Sequence, residues 1–138
     1  MHLLWLDDET AICGAIGPDA MPGAAEAGVR TIINNRPDGE EQHQASSDSI
    51  AAAAKQNGLD YRFVPISMRE LSPQDIEDMH TALNNTPAPR VAFCRSGSRS
   101  YILWALANAG TEAELEEMID QAAGRGFDIS VARLFAQR

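Results

Sequence analysis

The apolar run Arg90-Val91-Ala92-Phe93 passes directly into Cys94-Arg95-Ser96-Gly97-Ser98-Arg99, and a helical pattern begins at Ser98. A short apolar strand, a tight glycine turn and a helix form the repeating unit of a parallel sheet. The chain keeps this rhythm elsewhere. Leu3 to Leu6 and Thr10 to Cys13 read as short strands or a hairpin, and Pro18 to Ala27 reads as a helix closed by Gly28. Val29 to Ile33 is a β-branched strand run, followed by a polar loop over Asn34 to Ser47. Ser49 to Gln56 is a helix stopped by Gly58, and Tyr61 to Pro65 is a strand. Ser72 is the N-cap of a helix reaching about Asn84, with Asp75 placed for a capping box. Ser98 to Ala109 is a helix ended by Gly110. Thr111 and Glu114 open another to about Ala123, and Asp128 to Ala136 forms a last short helix. The expected fold class is α/β: a mainly parallel central sheet flanked by helices, with right-handed crossovers.

Ligands in such sheets sit beyond the carboxyl ends of the strands, which is where Cys94 falls. Gly97 permits the positive φ that a turn this tight needs. The amides of Arg95, Ser96, Gly97 and Ser98 can converge into an anion-binding nest, and the helix start adds its positive dipole end. Both favour a thiolate over a thiol. Arg99 supplies a fixed charge and a two-pronged donor for an oxyanion, and Ser100 can offer a hydroxyl to the thiolate or to a departing group. The pattern is that of an activated nucleophile facing an anionic substrate. The alternative is a buried structural cysteine in a serine-rich turn. Arg95 also reads as a solvated side chain, so Arg99 is the preferred oxyanion partner.

Bulk properties bound the function. The length, 138 residues, fits one domain over 1–138 that folds without metal or disulfide. Eleven basic against 20 acidic residues give a net charge of -9, which argues against a nucleic-acid footprint or an anionic membrane partner. No stretch is long and apolar enough for a membrane span. The start turns acidic at Asp7-Asp8-Glu9, so no signal peptide is read. Two cysteines, Cys13 and Cys94, are too few for a disulfide framework, which suggests the reducing cytoplasm. His2, His43 and His80 match no metal-ligand spacing, and no dinucleotide or Walker motif is present, so no cofactor is expected. Leu103 and Trp104 read as core, and the acidic run from Glu112 to Glu117 as a solvated helix face.

Asn34-Asn35-Arg36-Pro37-Asp38-Gly39-Glu40, followed by Cys94-Arg95-Ser96-Gly97-Ser98-Arg99-Ser100, resembles the phosphatase-like domain of the beta-lactamase-hydrolase-like proteins, a family often labelled sulfurtransferase. The resemblance covers about Cys13 to Ala109. It implies a fold similar to dual-specificity protein tyrosine phosphatases, a nucleophile at Cys94, an oxyanion-binding Arg99 and loop amides from Arg95 to Ser98. In some relatives this domain is fused to a metallo-β-lactamase-type hydrolase that handles persulfides, so a functional association with such a hydrolase is implied. The first motif follows a strand and so lies at the same sheet edge as Cys94. Arg36 can add positive charge there and Asp38 can hold Arg36 or Arg99; the alternative is a polar turn shaped by Pro37 and Gly39.

Two features favour sulfur transfer over phosphoester cleavage. Four residues separate Cys94 from Arg99, where phosphatases of this fold place five. The shorter ring of amides suits a persulfide sulfur, and Phe93 stands where a histidine commonly precedes a phosphatase cysteine. Cleaving a phosphoester also requires protonation of a basic leaving oxygen, usually by an Asp on a mobile loop. The segment Pro65 to Leu71 offers only Glu70, with Arg69 beside it to attract an anionic donor. The sequence therefore predicts a rhodanese-type sulfurtransferase that takes sulfane sulfur from a small anionic donor onto Cys94 and passes it to a thiol acceptor. Two other readings stand beside it: a phosphatase using a Cys94 phosphocysteine with Glu70 as acid, and a non-catalytic oxyanion-binding or redox-sensing module. In the redox version Cys13 resolves an oxidised Cys94 as a disulfide; otherwise Cys13 is a small buried strand residue.

Overall fold

The computed structural model describes residues 1–136. Its strands are β1 (Leu4–Trp5), β2 (Thr10–Cys13), β3 (Thr31–Asn34), β4 (Asp60–Phe63) and β5 (Arg90–Phe93). They form one sheet in the order β1-β2-β5-β3-β4. β2, β5, β3 and β4 run parallel, and only β1 is antiparallel, as the arm of the expected hairpin with β2. The last strand in the chain is therefore the central one. Thr10 and Thr31 both pair with Arg90, and Cys13 and Asn34 both pair with Phe93.

The helices are α1 (Met21–Glu26), α2 (Ser47–Gln56), α3 (Pro73–Asn84), α4 (Ser98–Asn108) and α5 (Glu112–Gly124). Side-chain alternation divides the strands between two apolar cores. Ile32, Val91, Phe93 and Cys13 pack with Met21, Ala24, Ile50 and Ala54 of α1 and α2. Ile12, Ile33 and Ala92 pack on the opposite face with Met79 and Leu83 of α3, Leu103 and Trp104 of α4, and Leu115 and Ile119 of α5. Both faces are covered, which is why β3 and β5 read as unbroken buried runs.

Several boundaries differ from the sequence expectation. Pro18 to Ala27 splits into a 3₁₀ turn, Pro18–Ala20, and the short α1, with a second proline, Pro22, in the first turn of α1. α2 starts at Ser47 rather than Ser49, because the Ser46 side chain accepts the Ser49 N–H and makes Ser46 the cap. The strands read at Val29 and Tyr61 begin at Thr31 and Asp60. The capping box of Ser72 and Asp75 forms as predicted. At α5 only half of the box forms: Thr111 accepts the Glu114 N–H, but the Glu114 carboxylate turns to the Gly110 N–H at 2.6 Å. The last segment is a 3₁₀ turn over Ser130–Leu134, opened by Asp128 accepting the Ser130 N–H.

Candidate active site

Cys94 leaves the carboxyl end of β5 and is only 1% exposed. The loop that follows is braced on both sides. Phe93 O accepts the Asn35 N–H at 2.8 Å, and Arg95 O accepts the Ala15 N–H at 3.1 Å. Gly97 adopts φ 97° as the N-cap of α4. That left-handed turn brings its N–H to 3.1 Å from Cys94 Sγ, so one amide of the expected nest donates directly to the candidate nucleophile. Gly14 and Gly97 both permit close approach. A Cβ on Gly14 would lie 3.2 Å from Arg95 O, and one on Gly97 would lie 3.4 Å from Cys13 O. Ser96 and Ser98 sit at the outer rim, hydrogen-bonded to each other at 3.2 Å.

Arg99 projects from the first turn of α4, with its side chain 16% exposed. Its Nη1 donates to Glu40 Oε2 at 2.6 Å and to Ile66 O at 3.0 Å, and its Nη2 donates to Glu40 Oε1 at 2.9 Å. The Glu40 bond pushes the Arg99 pKa above its ordinary value, and Cys94 adds to this from nearby. Arg99 and Arg36 in turn hold Glu40 below the usual carboxylate range. Arg36 is 6% exposed and donates to Glu40 and Glu41. Glu41 also pairs with Arg95 at 3.3 Å, so the exposed Arg95 belongs to the same cluster.

Two expected roles are corrected here. Asp38 holds neither Arg36 nor Arg99; its Oδ1 accepts the Ser47 N–H at 2.7 Å and ties the polar loop to the start of α2. The arginine-holding acids are Glu40 and Glu41. Ser100 does not aim its hydroxyl at Cys94. It donates to Asn35 Oδ1 at 2.8 Å, and Asn35 Nδ2 donates to Val64 O at 3.0 Å, so a buried amide joins β3, the segment after β4 and α4. Arg69 and Glu70 lie on an exposed 3₁₀ turn, Met68–Glu70, beside the Ile66 carbonyl that holds Arg99. Among the described residues neither has an ion-pair partner.

Cys13 pairs with Phe93 and packs with it in the core of α1 and α2. Burial pushes its thiol up to about 12, with a smaller contribution from Cys94 in the same direction. The pairing with Phe93 sets Cys13 beside the start of the Cys94 loop, with its side chain in the core of α1 and α2. Among the described residues no cluster of histidine, cysteine or acidic side chains is arranged to hold a metal. A groove of about 440 Å³ between α3, α4, α5 and Phe135 contains none of the Cys94 loop and is separate from this chemistry.

The sequence and the fold are matched among known proteins. The family model of the beta-lactamase hydrolase-like protein, phosphatase-like domain, matches residues 2–111. The chain belongs to this family. A beta-lactamase hydrolase-like protein of Xylella fastidiosa is 32% identical over 139 residues, and one of Agrobacterium fabrum is 28% identical over the same length. The chain spans only 32% of the length of each of those relatives. Among solved structures, a Neisseria meningitidis protein assigned as a phosphatase superposes with TM-score 0.80 at 28% identity, covering 94% of this chain and 93% of that one. The core catalytic domain of a PP-IP phosphatase from S. cerevisiae superposes with TM-score 0.68 at 15% identity, covering 97% of this chain and 82% of that one. At that identity the likeness shows the fold alone. The phosphatase-like domain has the cysteine-phosphatase fold that the two motifs implied.

Proposed function

We propose that this domain is a cysteine-dependent phosphatase-type hydrolase acting on a small phosphoester. This replaces sulfur transfer as the first reading. Cys94 thiolate attacks phosphorus and the P–O bond to the leaving group breaks. The leaving oxygen takes a proton from Glu70. Water then attacks the phosphocysteine and gives a proton back to the Glu70 carboxylate, the P–S bond breaks, and phosphate and the Cys94 thiolate are released. The loop amides and Arg99 hold the oxygens on which charge accumulates. The observation that carries the reading is the Gly97 N–H on Cys94 Sγ at 3.1 Å, at the start of an eleven-residue helix whose first turn supplies Arg99.

Sulfur transfer remains a second reading on one specific feature, the four-residue span from Cys94 to Arg99. In that chemistry Cys94 takes the outer sulfur of a donor such as thiosulfate, sulfite leaves with the S–S electron pair, and a thiol removes the sulfur. Partnership with a persulfide-processing metallo-hydrolase belongs to this second reading. Either chemistry needs a reduced Cys94, which fits the cytoplasm. Among the described residues no helix is long and apolar enough to cross a membrane.

Aryl phosphate hydrolysis and thiosulfate:cyanide sulfur transfer, measured on wild type and Cys94→Ser, separate the two. The expected result is Cys94-dependent phosphate release. Cys94-dependent thiocyanate formation without phosphate release would reverse the order of the readings.

A further inference from the structure

Glu40 occupies donors that an incoming oxyanion would seek. A carboxylate on both terminal nitrogens of an arginine makes the same two-pronged contact that the guanidinium offers to phosphate or sulfate. Glu40 makes that contact with Arg99 and also takes Arg36 Nε at 3.1 Å. Glu41 bridges Arg36 and Arg95 at the rim. Three guanidinium groups thus meet two carboxylates, and the Cys94 thiolate that either chemistry uses offsets the remaining positive charge, so the site carries no surplus. The side chains of Arg99 and Glu40 are 16% and 27% exposed, so solvent screens them only in part. Asp38 and Gln44 fix the loop that carries both acids. Ser47 N–H bonds Asp38, the Gln44 amide donates to Pro37 O, and Glu41 N–H returns to Gln44 Oε1.

We propose that Glu40 is a specificity-determining residue of the Cys94 site, which makes the site take singly charged oxyanions in preference to doubly charged ones. The inference rests on the Cys94 loop being an anion site, and not on which bond is cleaved there. The first negative charge on a ligand is met by the loop amides and the arginine cluster. A second stands across one guanidinium from the fixed charge of Glu40, and the exposed Arg69 near the site is offset by its neighbour Glu70. Selection here works by a repulsive element placed beside an attractive one. The substrate class that follows is the monoanion: a phosphodiester-like or singly protonated phosphoester head, or a singly charged sulfur oxyanion.

The test is protection of Cys94 from iodoacetamide by sulfate and by perchlorate, at constant ionic strength and neutral pH. The two anions share a tetrahedral shape and differ by one charge, and no turnover is required. Wild type is expected to be protected at lower perchlorate than sulfate concentration. Glu40→Gln keeps the side-chain shape and removes the charge. It is expected to shift the ratio of protecting concentrations toward sulfate by about tenfold, the effect of one partly screened charge at close range. Glu41→Gln, whose acid does not touch Arg99, should shift it less. Loss of protection by both anions in Glu40→Gln would mean that Glu40 only holds Arg99 in place, and would overturn the proposal. An unchanged ratio overturns it equally. Sulfate protecting wild type as well as perchlorate, or better, overturns it without any variant, so the test survives a variant that fails to fold. Absence of phosphate release with the anion order intact would sink the hydrolase reading alone.

Discussion

Gly97 shows how narrow the tolerances at the nucleophile are. Its φ of 97° lies where a side chain is strained, and the space a Cβ would fill is 3.4 Å from the Cys13 carbonyl. Gly97→Ala is expected to cost about 1–2 kcal/mol of stability and to move the N–H off Cys94 Sγ. Chemical denaturation with a parallel activity assay would read both, and wild-type stability with full activity would refute the argument. Cys13 differs from Cys94 in environment rather than in chemistry. With its thiol pushed up to about 12 by burial, it should stay unlabelled by iodoacetamide in the native protein at pH 8. Mass spectrometry should find one adduct in buffer and two in denaturant; two adducts in the native protein would contradict this. Glu70 is the proton donor on the hydrolase reading. Glu70→Gln should therefore slow release of a basic alkoxide tenfold or more while sparing an acidic aryl leaving group, within the range of general acid catalysis. Equal effects on both would remove Glu70 from that role.

At the scale of elements, the sequence was most legible where one local rule decides. Ser72 with Asp75 announced the start of α3, and the Ser72 hydroxyl does accept the Asp75 N–H. Ser72→Ala is expected to lower stability by about 1 kcal/mol, measurable as a shift in the urea midpoint. Arg90 to Phe93 followed by glycine and a helix fixed the position of Cys94 and Arg99 together, because spacing along one strand–turn–helix unit is local. The acids on Arg99 were not legible. Glu40 lies 59 residues from Arg99, in a string where Asp38, Glu40 and Glu41 look equivalent. Only folding reveals that Asp38 is spent on the α2 backbone. Ser100 was misread for the same reason, since its partner Asn35 sits just after β3, 65 residues away. The start of α2 was misplaced because the Ser46 side chain takes the cap position; at α5 the Thr111 cap was read correctly and only the Glu114 carboxylate went elsewhere, to the Gly110 N–H.

Over the whole molecule, the Glu40 carboxylate ties stability to pH. Glu40 titrates below its unfolded value because Arg99 and Arg36 bond its ionised form. A depressed acid contributes stability above the unfolded pKa, and the contribution is lost as pH falls through the folded one. Wild type should therefore exceed Glu40→Gln in stability at neutral pH, and the gap should close towards pH 3. A gap that persists at the acid end would show that packing, not charge, accounts for it.

The central place of β5 governs the order in which the molecule can be made. β2 and β3 do not touch; each lies against Arg90–Phe93, and Thr10 pairs with a residue 80 positions later. On a ribosome, the residues before β5 can form helices, the β1–β2 hairpin and the β3–β4 pair, but nothing joins the two pairs into one sheet. Once Phe93 emerges, the gap closes, and Cys94 is the next residue out. A nascent chain therefore has all five strands in hand when Cys94 appears, while α4 and α5, which supply Arg99 and cover one face of the sheet, are still to come.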